Sequence, residues 1–382
     1  MKSQEKPGST LRVALAAGGT GGHIMPAIAL AEVLANIGYP VEIQFFCGNR
    51  PIEKKIYADA GITPVQIPVG GMTTGGLLSR LAQVVGLVRG MFKCLLCIRN
   101  FDVVVGMGGY SSAPLLAAAW LANVPIVLHD SNAVLGRVTR WLAPKAKALA
   151  CGLPLVNPPR DVSPDRIHDI GTPVRLGISR GDAAEAARSM RFDPELFTLF
   201  ICGGSQGAQG LNRFMGAVFQ EMSAFWPSDK TMQVIWSAGP QNVDEVLQMI
   251  KERNLRGQFW IAPIMDRMDH AFALSDIVIA RAGGSFLAEV LVCGKPSILF
   301  PLPHGADQHQ HHNAAVLERN GAAVVFDENS TEPREVAEQI LHFLQTTHDL
   351  EVMSDAARRL SRPGAARDLA RLIVRAATGE LD

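Results

Sequence analysis

Four times along this chain a short apolar run gives way to a glycine-rich turn and then to a segment with helical apolar spacing. The turns are Gly18-Gly19-Thr20-Gly21-Gly22, Gly108-Gly109-Tyr110-Ser111-Ser112, Gly203-Gly204-Ser205-Gln206-Gly207 and the stretch 281–289, read R-A-G-G-S-F-L-A-E. Apolar runs at 11–17, 102–107, 197–202 and 276–280 precede them. A strand that feeds a helix through a tight turn is half of a βαβ unit, so the alternation predicts parallel sheets with helices outside. Further strands are expected at 41–47, 125–129, 146–151, 232–237, 258–264, 297–302 and 322–326. The expected class is therefore α/β, with two Rossmann-like doubly wound sheets, one fold used twice. No 20–50-residue period marks a solenoid.

The turns also limit the chemistry. A helix start leaves backbone N–H groups without partners and carries partial positive charge, and glycine removes the Cβ that would keep an anion away. Thr20 and the loop amides can receive a diphosphate. Glu289, one to two turns into its helix, can accept hydrogen bonds from a ribose diol. The first turn is not G-x-G-x-x-G and no acidic residue ends the run 41–47, which argues against a nicotinamide dinucleotide.

With 382 residues the chain is long enough for two or three domains. Prolines 154, 158, 159 and 164 mark an irregular loop, and I-G-T-P-V-R at 170–175 reads as a boundary, with a linker at 171–177. The expected division is 11–172, 173–348 and a helical, arginine-rich tail, 349–382, packed along the body. Lys+Arg and Asp+Glu are both 36, which leaves no overall basic field for nucleic acid. Most of the six cysteines sit in apolar runs, and Cys94-Leu-Leu-Cys97 reads as helix packing in a reducing compartment. No apolar stretch is long enough to span a bilayer, and the run 11–17 is too short for a secretory signal.

Two stretches stand apart. Residues 61–101 contain no Asp or Glu, yet carry Arg80, Arg89, Lys93 and Arg99 among leucines and valines at helical spacing. Such a helix packs into a core with its cations reaching out, or lies on an anionic bilayer. The run L-P-H-G-A-D-Q-H-Q-H-H-N at 302–313 holds four histidines without a hydrolase zinc pattern. Asp307, His309 and Gln310 there suit the recognition of sugar hydroxyls better than a metal. His129-Asp130-Ser131-Asn132 follows the strand at 125–129, where open α/β sheets bind ligands.

Taken in order, G-G-T-G-G-H at 18–23, G-M-G-G-Y-S-S-A-P at 106–114, G-G-S-Q-G-A at 203–208, the 281–289 stretch and D-Q-H-Q-H-H-N-A at 307–314 resemble the MurG family of N-acetylglucosaminyltransferases. Shorter matches are H-D-S-N at 129–132 and G-T-P-V-R at 171–175, and the likeness spans about 11–345. The resemblance implies the GT-B fold, two Rossmann-like domains facing a cleft. It implies inverting transfer of N-acetylglucosamine from UDP-GlcNAc to the 4-hydroxyl of undecaprenyl-diphospho-N-acetylmuramoyl-pentapeptide. It also implies no cofactor, no metal held through D-x-D, and a peripheral position on the cytoplasmic face of the inner membrane, reached through 77–99.

By the same resemblance, Gly18, Gly19, Gly108, Gly109, Tyr110 and Ser111 would approach the lipid acceptor. His23 would act as base, with Asp130 next. Thr20, Gly21, Gly22, Asn132, Arg175, Ser205, Met265, Gly284, Ser285, Phe286, Leu287, Ala288, Glu289, His309 and Gln310 would hold the donor, Met265 beside uracil and Glu289 on the ribose. Three positions depart from the family's usual pattern: Asp130 stands for glutamate, Phe286 for threonine, Ala113 for glycine. Competing readings are a UDP-sugar epimerase or a glycolipid-forming transferase on the same scaffold, and a nucleotide-binding regulatory module. The acid-free cationic stretch disfavours an epimerase, and sugar-reading residues beside a base disfavour a regulatory module.

Overall fold

The computed structural model describes residues 10–38, 40–69, 77–204, 207–225, 231–303 and 308–381, with backbone only for 77–83 and 224–225. Ser205 and Asp307 lie outside the described residues. The chain forms two compact units. One contains the residues up to Arg175 and those from Pro363 on, and the other is Leu176–Arg362.

The first unit is built on seven strands, β1 Leu11–Ala16, β2 Val41–Cys47, β3 Val65–Gln66, β4 Val103–Gly106, β5 Ile126–Asp130, β6 Ala148–Cys151 and β7 Ile167–Asp169. They lie in the order β3-β2-β1-β4-β5-β6-β7, with every pairing parallel. The second unit uses β8 Thr198–Cys202, β9 Gln233–Ser237, β10 Gln258–Ala262, β11 Ile277–Ala280, β12 Ser297–Leu299 and β13 Ala323–Val325. Their order is β10-β9-β8-β11-β12-β13, again all parallel. The order of strands reverses between β1 and β4 in one sheet and between β8 and β11 in the other. Those are the switch points where open sheets of this kind bind ligands. Each of the four glycine turns follows one of these four strands.

Both faces of each sheet are covered, which is why the central strands are apolar throughout rather than alternating. Val13, Leu15, Val103, Val105 and Val127 point to one face of the first sheet, against Ile24, Ala27, Leu30 and Leu34 of helix Gly21–Leu34. Ala14, Ala16, Val104, Ile126 and Leu128 point to the other. In the second unit the buried Trp236 donates its indole N–H to Asn212 Oδ1 at 3.0 Å, so its one polar atom is satisfied inside the core.

The expected tail 349–382 is not one piece. Helix Thr347–Leu360 stays with the second unit, where Ser354 Oγ donates to the carbonyl of Gly294 at 2.6 Å. Pro363 cannot continue a helix. Beyond it, helix Ala365–Thr378 buries Leu369, Ile373 and Ala376 on the first sheet, beside helix Gly21–Leu34. The break between units falls at 175/176, inside the expected linker and three residues after the expected boundary. The edge strands β3 and β7, two and three residues long, are too short to leave a period in the sequence.

Candidate active site

In the first unit two glycine turns pack directly on each other. Gly108 and Gly109 have φ of +90° and +85°. A Cβ on Gly109 would stand 2.4 Å from the carbonyl oxygen of Gly18, and one on Gly108 would stand 2.9 Å from His23 Nδ1. Only glycine permits both the left-handed backbone and the approach. The His23 ring thus lies over the second turn, at the N-terminus of helix Gly21–Leu34. Thr20 is that helix's N-cap, its side chain makes no capping bond, and no acidic residue occupies the first turn. The amides of Gly21 and Gly22 stand at the positive end of a 14-residue helix.

The first turn is held from behind by residues that the sequence motifs did not mark. Pro51 opens helix Pro51–Asp59, and Glu53, wholly buried, reaches back to the Arg50 N–H at 3.1 Å. The same carboxylate accepts the Gly19 N–H, and the Ser111 hydroxyl donates to it at 3.4 Å. Arg50 Nη1 donates to the Gly19 carbonyl at 2.8 Å, and Tyr57 donates its hydroxyl to that of Ala17 at 2.8 Å. Gly19 and Ser111 are therefore engaged by the scaffold of the turn. Proline followed by glutamate two residues on is a helix-start signal, but nothing in it announces a carboxylate 34 residues along that grips the turn.

His129 and Asp130 close β5. Asp130 is 3% exposed, and both its oxygens are taken. Oδ1 accepts the backbone and side-chain N–H of Asn132 at 3.1 and 3.0 Å, and Oδ2 accepts the Gly136 N–H at 2.8 Å. A carboxylate so engaged braces the loop that carries Asn132, which argues against the second-base role expected of it. His129 is fully buried, and its Nε2 lies 3.2 Å from the Gly171 carbonyl. Burial lowers its pKa to about 4, against the opposing effects of the Gly171 bond and Asp130. The ring is neutral near pH 7, so Nε2–H donates. Arg175, half-buried, ends the leading segment of this unit.

In the second unit the turn after β11 opens helix Gly284–Val292, with Gly283 as N-cap in extended backbone. A Cβ on Gly283 would meet nothing within 4 Å, and the same holds for Gly204 in the turn after β8. These glycines leave open space beside amide groups. Arg281 is nearly buried and forms a two-pronged pair with Glu328 at 2.8 and 2.9 Å, while Nη1 donates to the Phe300 carbonyl at 3.1 Å. The pair anchors the end of β11 to the end of β12 and the segment after β13.

Helix His309–Arg319 is tied to the same turn, because Asn313 Nδ2 donates to the Ala282 carbonyl at 3.0 Å. The structure thus gathers Gly284, Ser285, Ala288, Glu289, His309 and Gln310 around one switch point. Glu289 is 8% exposed on the second turn of its helix. Gln310 Oε1 accepts the Leu302 N–H at 2.9 Å. Leu287 points into the core and its N–H donates to the Gly283 carbonyl at 2.9 Å, so it serves the turn as structure. Phe286 packs against Phe200 and Phe272, with ring centroids 6.5 and 5.9 Å apart. Its side chain belongs to the packing, which leaves its backbone for the donor-binding role expected at this position. Met265, 4% exposed, follows β10, two strands from the switch point. Among the described residues no three His, Cys, Asp or Glu side chains gather as a metal-binding group.

Residues 13–151 match the model of the glycosyltransferase family 28 N-terminal domain, and 198–369 that of the family 28 C-terminal domain. The chain is 33% identical over 373 residues to the UDP-N-acetylglucosamine–N-acetylmuramyl-(pentapeptide) pyrophosphoryl-undecaprenol N-acetylglucosamine transferase of Moorella thermoacetica, covering 96% of this chain and 99% of the relative. The enzyme of the same name from Stutzerimonas stutzeri is 34% identical over 369 residues, with 96% and 99% covered. The crystal structure of MurG from Acinetobacter baumannii superposes with a TM-score of 0.76 at 25% identity, covering 96% of this chain and all of that one. Two parallel-sheet units with glycine turns at both switch points, and full-length likeness at this level, have one reading: the chain belongs to glycosyltransferase family 28, among the MurG N-acetylglucosamine transferases.

Proposed function

We propose that this protein transfers N-acetylglucosamine from UDP-GlcNAc to the 4-hydroxyl of undecaprenyl-diphospho-N-acetylmuramoyl-pentapeptide, with inversion at the anomeric carbon. The observation that carries the reading is the pairing of open glycine turns with a buried helix-borne carboxylate in the second unit, and of a helix-start histidine with glycine turns in the first. The amides of 283–286 receive the diphosphate, and Glu289 accepts from the ribose. His309 and Gln310 read sugar hydroxyls, and Met265 lies by the base. Ser205 and Arg175 complete the diphosphate contacts, and Asn132, on the loop that Asp130 braces, reaches the sugar. Thr20, Gly21 and Gly22 approach both the acceptor's diphosphate and the donor sugar.

His23 takes the proton of the attacking hydroxyl, since an imidazole titrates near working pH. Charge that develops on the departing UDP is met by fixed amide dipoles and Arg175. These groups supply what a bound divalent cation would, so donor binding needs no metal. The test is UDP release from UDP-GlcNAc with and without a soluble lipid-linked acceptor analogue. Release that depends on the acceptor supports transfer, whereas epimerised donor without acceptor, or no turnover at all, supports the rival readings.

The protein sits peripherally on the cytoplasmic face of the inner membrane, where the polyprenyl acceptor resides. No described helix is long and apolar enough to cross a membrane. Helix Leu77–Leu95 supports a surface contact by the apolar side chains it leaves uncovered. Among its described side chains Leu87, Met91, Cys94 and Leu95 pack on the core, with Gly86 against the Pro68 carbonyl, and a Cβ on Gly90 would strike Ile67 at 2.6 Å. Val84, Val85, Val88, Phe92 and the following Leu96 are exposed, beside exposed Arg89 and Lys93. Exposed large apolar side chains fringed by cations suit an anionic interface. Lys93 also donates to the Gln66 carbonyl at 2.8 Å.

A further inference from the structure

His129 has chemistry that the reaction as described does not use. Its Nε2–H is committed to Gly171, so the neutral ring keeps a lone pair on Nδ1. That atom is buried and has no hydrogen-bond partner among the described residues. An unsatisfied acceptor in the interior is unfavourable, by about 1–3 kcal/mol. Such a group calls for a donor.

The nearest candidate follows from the alternation of the strand. Val127 and His129 share a face of β5, and Val127 lies in the cluster formed with Ile24 and Ala27 of helix Gly21–Leu34. That helix begins with His23. The register places Leu128 opposite Gly106, so His129 lies beside the start of the turn whose Gly108 touches the His23 ring. The two imidazoles are close enough that a positive charge on His23 disfavours one on His129. The titratable groups acting on His129 are Asp130 on its own strand, which favours a charge, and His23 on the facing helix, which opposes it.

We propose that His129 is a positioning residue for the transfer: its Nδ1 accepts a hydrogen bond from one ordered water that in turn accepts from the His23 imidazole N–H, and so turns the other His23 nitrogen to the acceptor hydroxyl. The proposal rests on the reading of His23 as base. When the hydroxyl oxygen attacks the anomeric carbon, the bond from that carbon to UDP breaks and UDP leaves with its electron pair. The hydroxyl proton passes to the free His23 nitrogen. The N–H on the opposite side stays on the water held by His129, which stabilises the imidazolium until solvent removes the extra proton. His129 itself remains neutral throughout. The relay ends on Gly171, at φ +85° in the irregular segment after β7 and four residues before the end of the first unit's leading segment.

Two conservative variants separate positioning from packing. Glutamine keeps an N–H where Nε2–H stands and loses the acceptor at Nδ1, while asparagine keeps an acceptor near Nδ1 and loses the Gly171 bond. The expected result for His129→Gln is a fall in kcat of about tenfold or more at unchanged KM for UDP-GlcNAc. The acid limb of its kcat/KM profile moves to lower pH, because protonated His23 has lost the acceptor that His129 held in place. His129→Asn regains the larger part of the rate and the wild-type limb, although its melting temperature is the lower of the two. The proposal is overturned if His129→Gln keeps both the wild-type kcat and limb, or if both variants lose activity in step with melting temperature and the limb stays fixed. His23→Gln distinguishes the levels. Full activity there removes the base assignment and this proposal together, whereas an inactive His23→Gln beside a wild-type-like His129→Gln removes the proposal alone.

Discussion

Glu53 accepts a hydrogen bond from the backbone N–H of Gly19, and so a buried carboxylate sets the shape of the turn that leads into His23. Its second oxygen is held by Arg50 N–H. Glu53→Gln puts an N–H₂ against one of those donors. The expected loss is about 1–3 kcal/mol of stability, since a buried donor is left unpaired. Transfer falls by about tenfold or more, as displaced reacting groups lose alignment. Denaturant unfolding and a transfer assay on the same preparation check this, and wild-type values in both would contradict the brace.

Gly283 and Gly109 separate access from conformation. Gly283 has φ −72° and open space at the Cβ position, so Gly283→Ala folds with the wild-type melting temperature. On the proposed assignment of this turn, the methyl group nonetheless stands where the diphosphate would approach the amides. KM for UDP-GlcNAc is expected to rise about tenfold, the weight of a lost charge-assisted hydrogen bond. Gly109→Ala meets a backbone oxygen at 2.4 Å with φ +85°, and destabilises by at least about 1–2 kcal/mol. A Gly283→Ala protein that binds UDP-GlcNAc as tightly as wild type would refute the assignment of that turn.

The buried His129 gives stability a pH dependence of defined sign. Its folded pKa, about 4, lies below the ordinary 6.5. Between those values the unfolded chain binds a proton that the folded protein excludes, so stability falls as pH drops below about 6.5 and the loss is complete near pH 4. From pH 7 to pH 5 the contribution is about 2 kcal/mol. Partial burial also lowers the pKa of His168, and adds a loss in the same direction. Urea titrations of wild type and His129→Gln at the two pH values should show a shallower pH dependence in the variant; parallel curves would mean that His129 does not titrate as described.

The exposed side chains of helix Leu77–Leu95 give a prediction for the membrane. Replacing Val88 and Phe92 by serine removes apolar area that would otherwise be buried in lipid, about 1.5–3 kcal/mol for each side chain fully inserted. Co-sedimentation with phosphatidylglycerol vesicles should drop by about tenfold or more. Arg89→Glu should lower it further at low salt, and transfer to a short-chain soluble acceptor should be unaffected. Vesicle binding that survives all three changes would place the membrane contact elsewhere.

What could be read from the sequence was what is local. Each switch-point strand, its glycine turn and the helix after it are adjacent in the chain, so pattern and propensity agree, and the sheets follow. The edge strands β3 and β7 were missed because two or three residues carry no period. The Glu53–Gly19 brace, the Arg281–Glu328 pair and the contact of Phe286 with Phe200 join residues 34, 47 and 86 positions apart, and no local signal encodes them. Asp130 resembled a candidate base by its place at the end of a strand. Only the three hydrogen bonds it accepts show it to be a loop brace. The split of the tail was half legible: Pro363 marked the break, but the destination of helix Ala365–Thr378 depended on which sheet face its apolar stripe could cover.

The most direct test of the account is the anomeric configuration of the product. The protein is incubated with UDP-GlcNAc labelled with ¹³C at C1 and a lipid-linked muramoyl acceptor, and the product is followed by NMR. A single attack opposite UDP, with His23 as base, predicts a β1→4-linked disaccharide formed only when the acceptor is present, and a loss of product in His23→Ala. An α-linked product, free N-acetylglucosamine, or an epimerised donor without acceptor would contradict it.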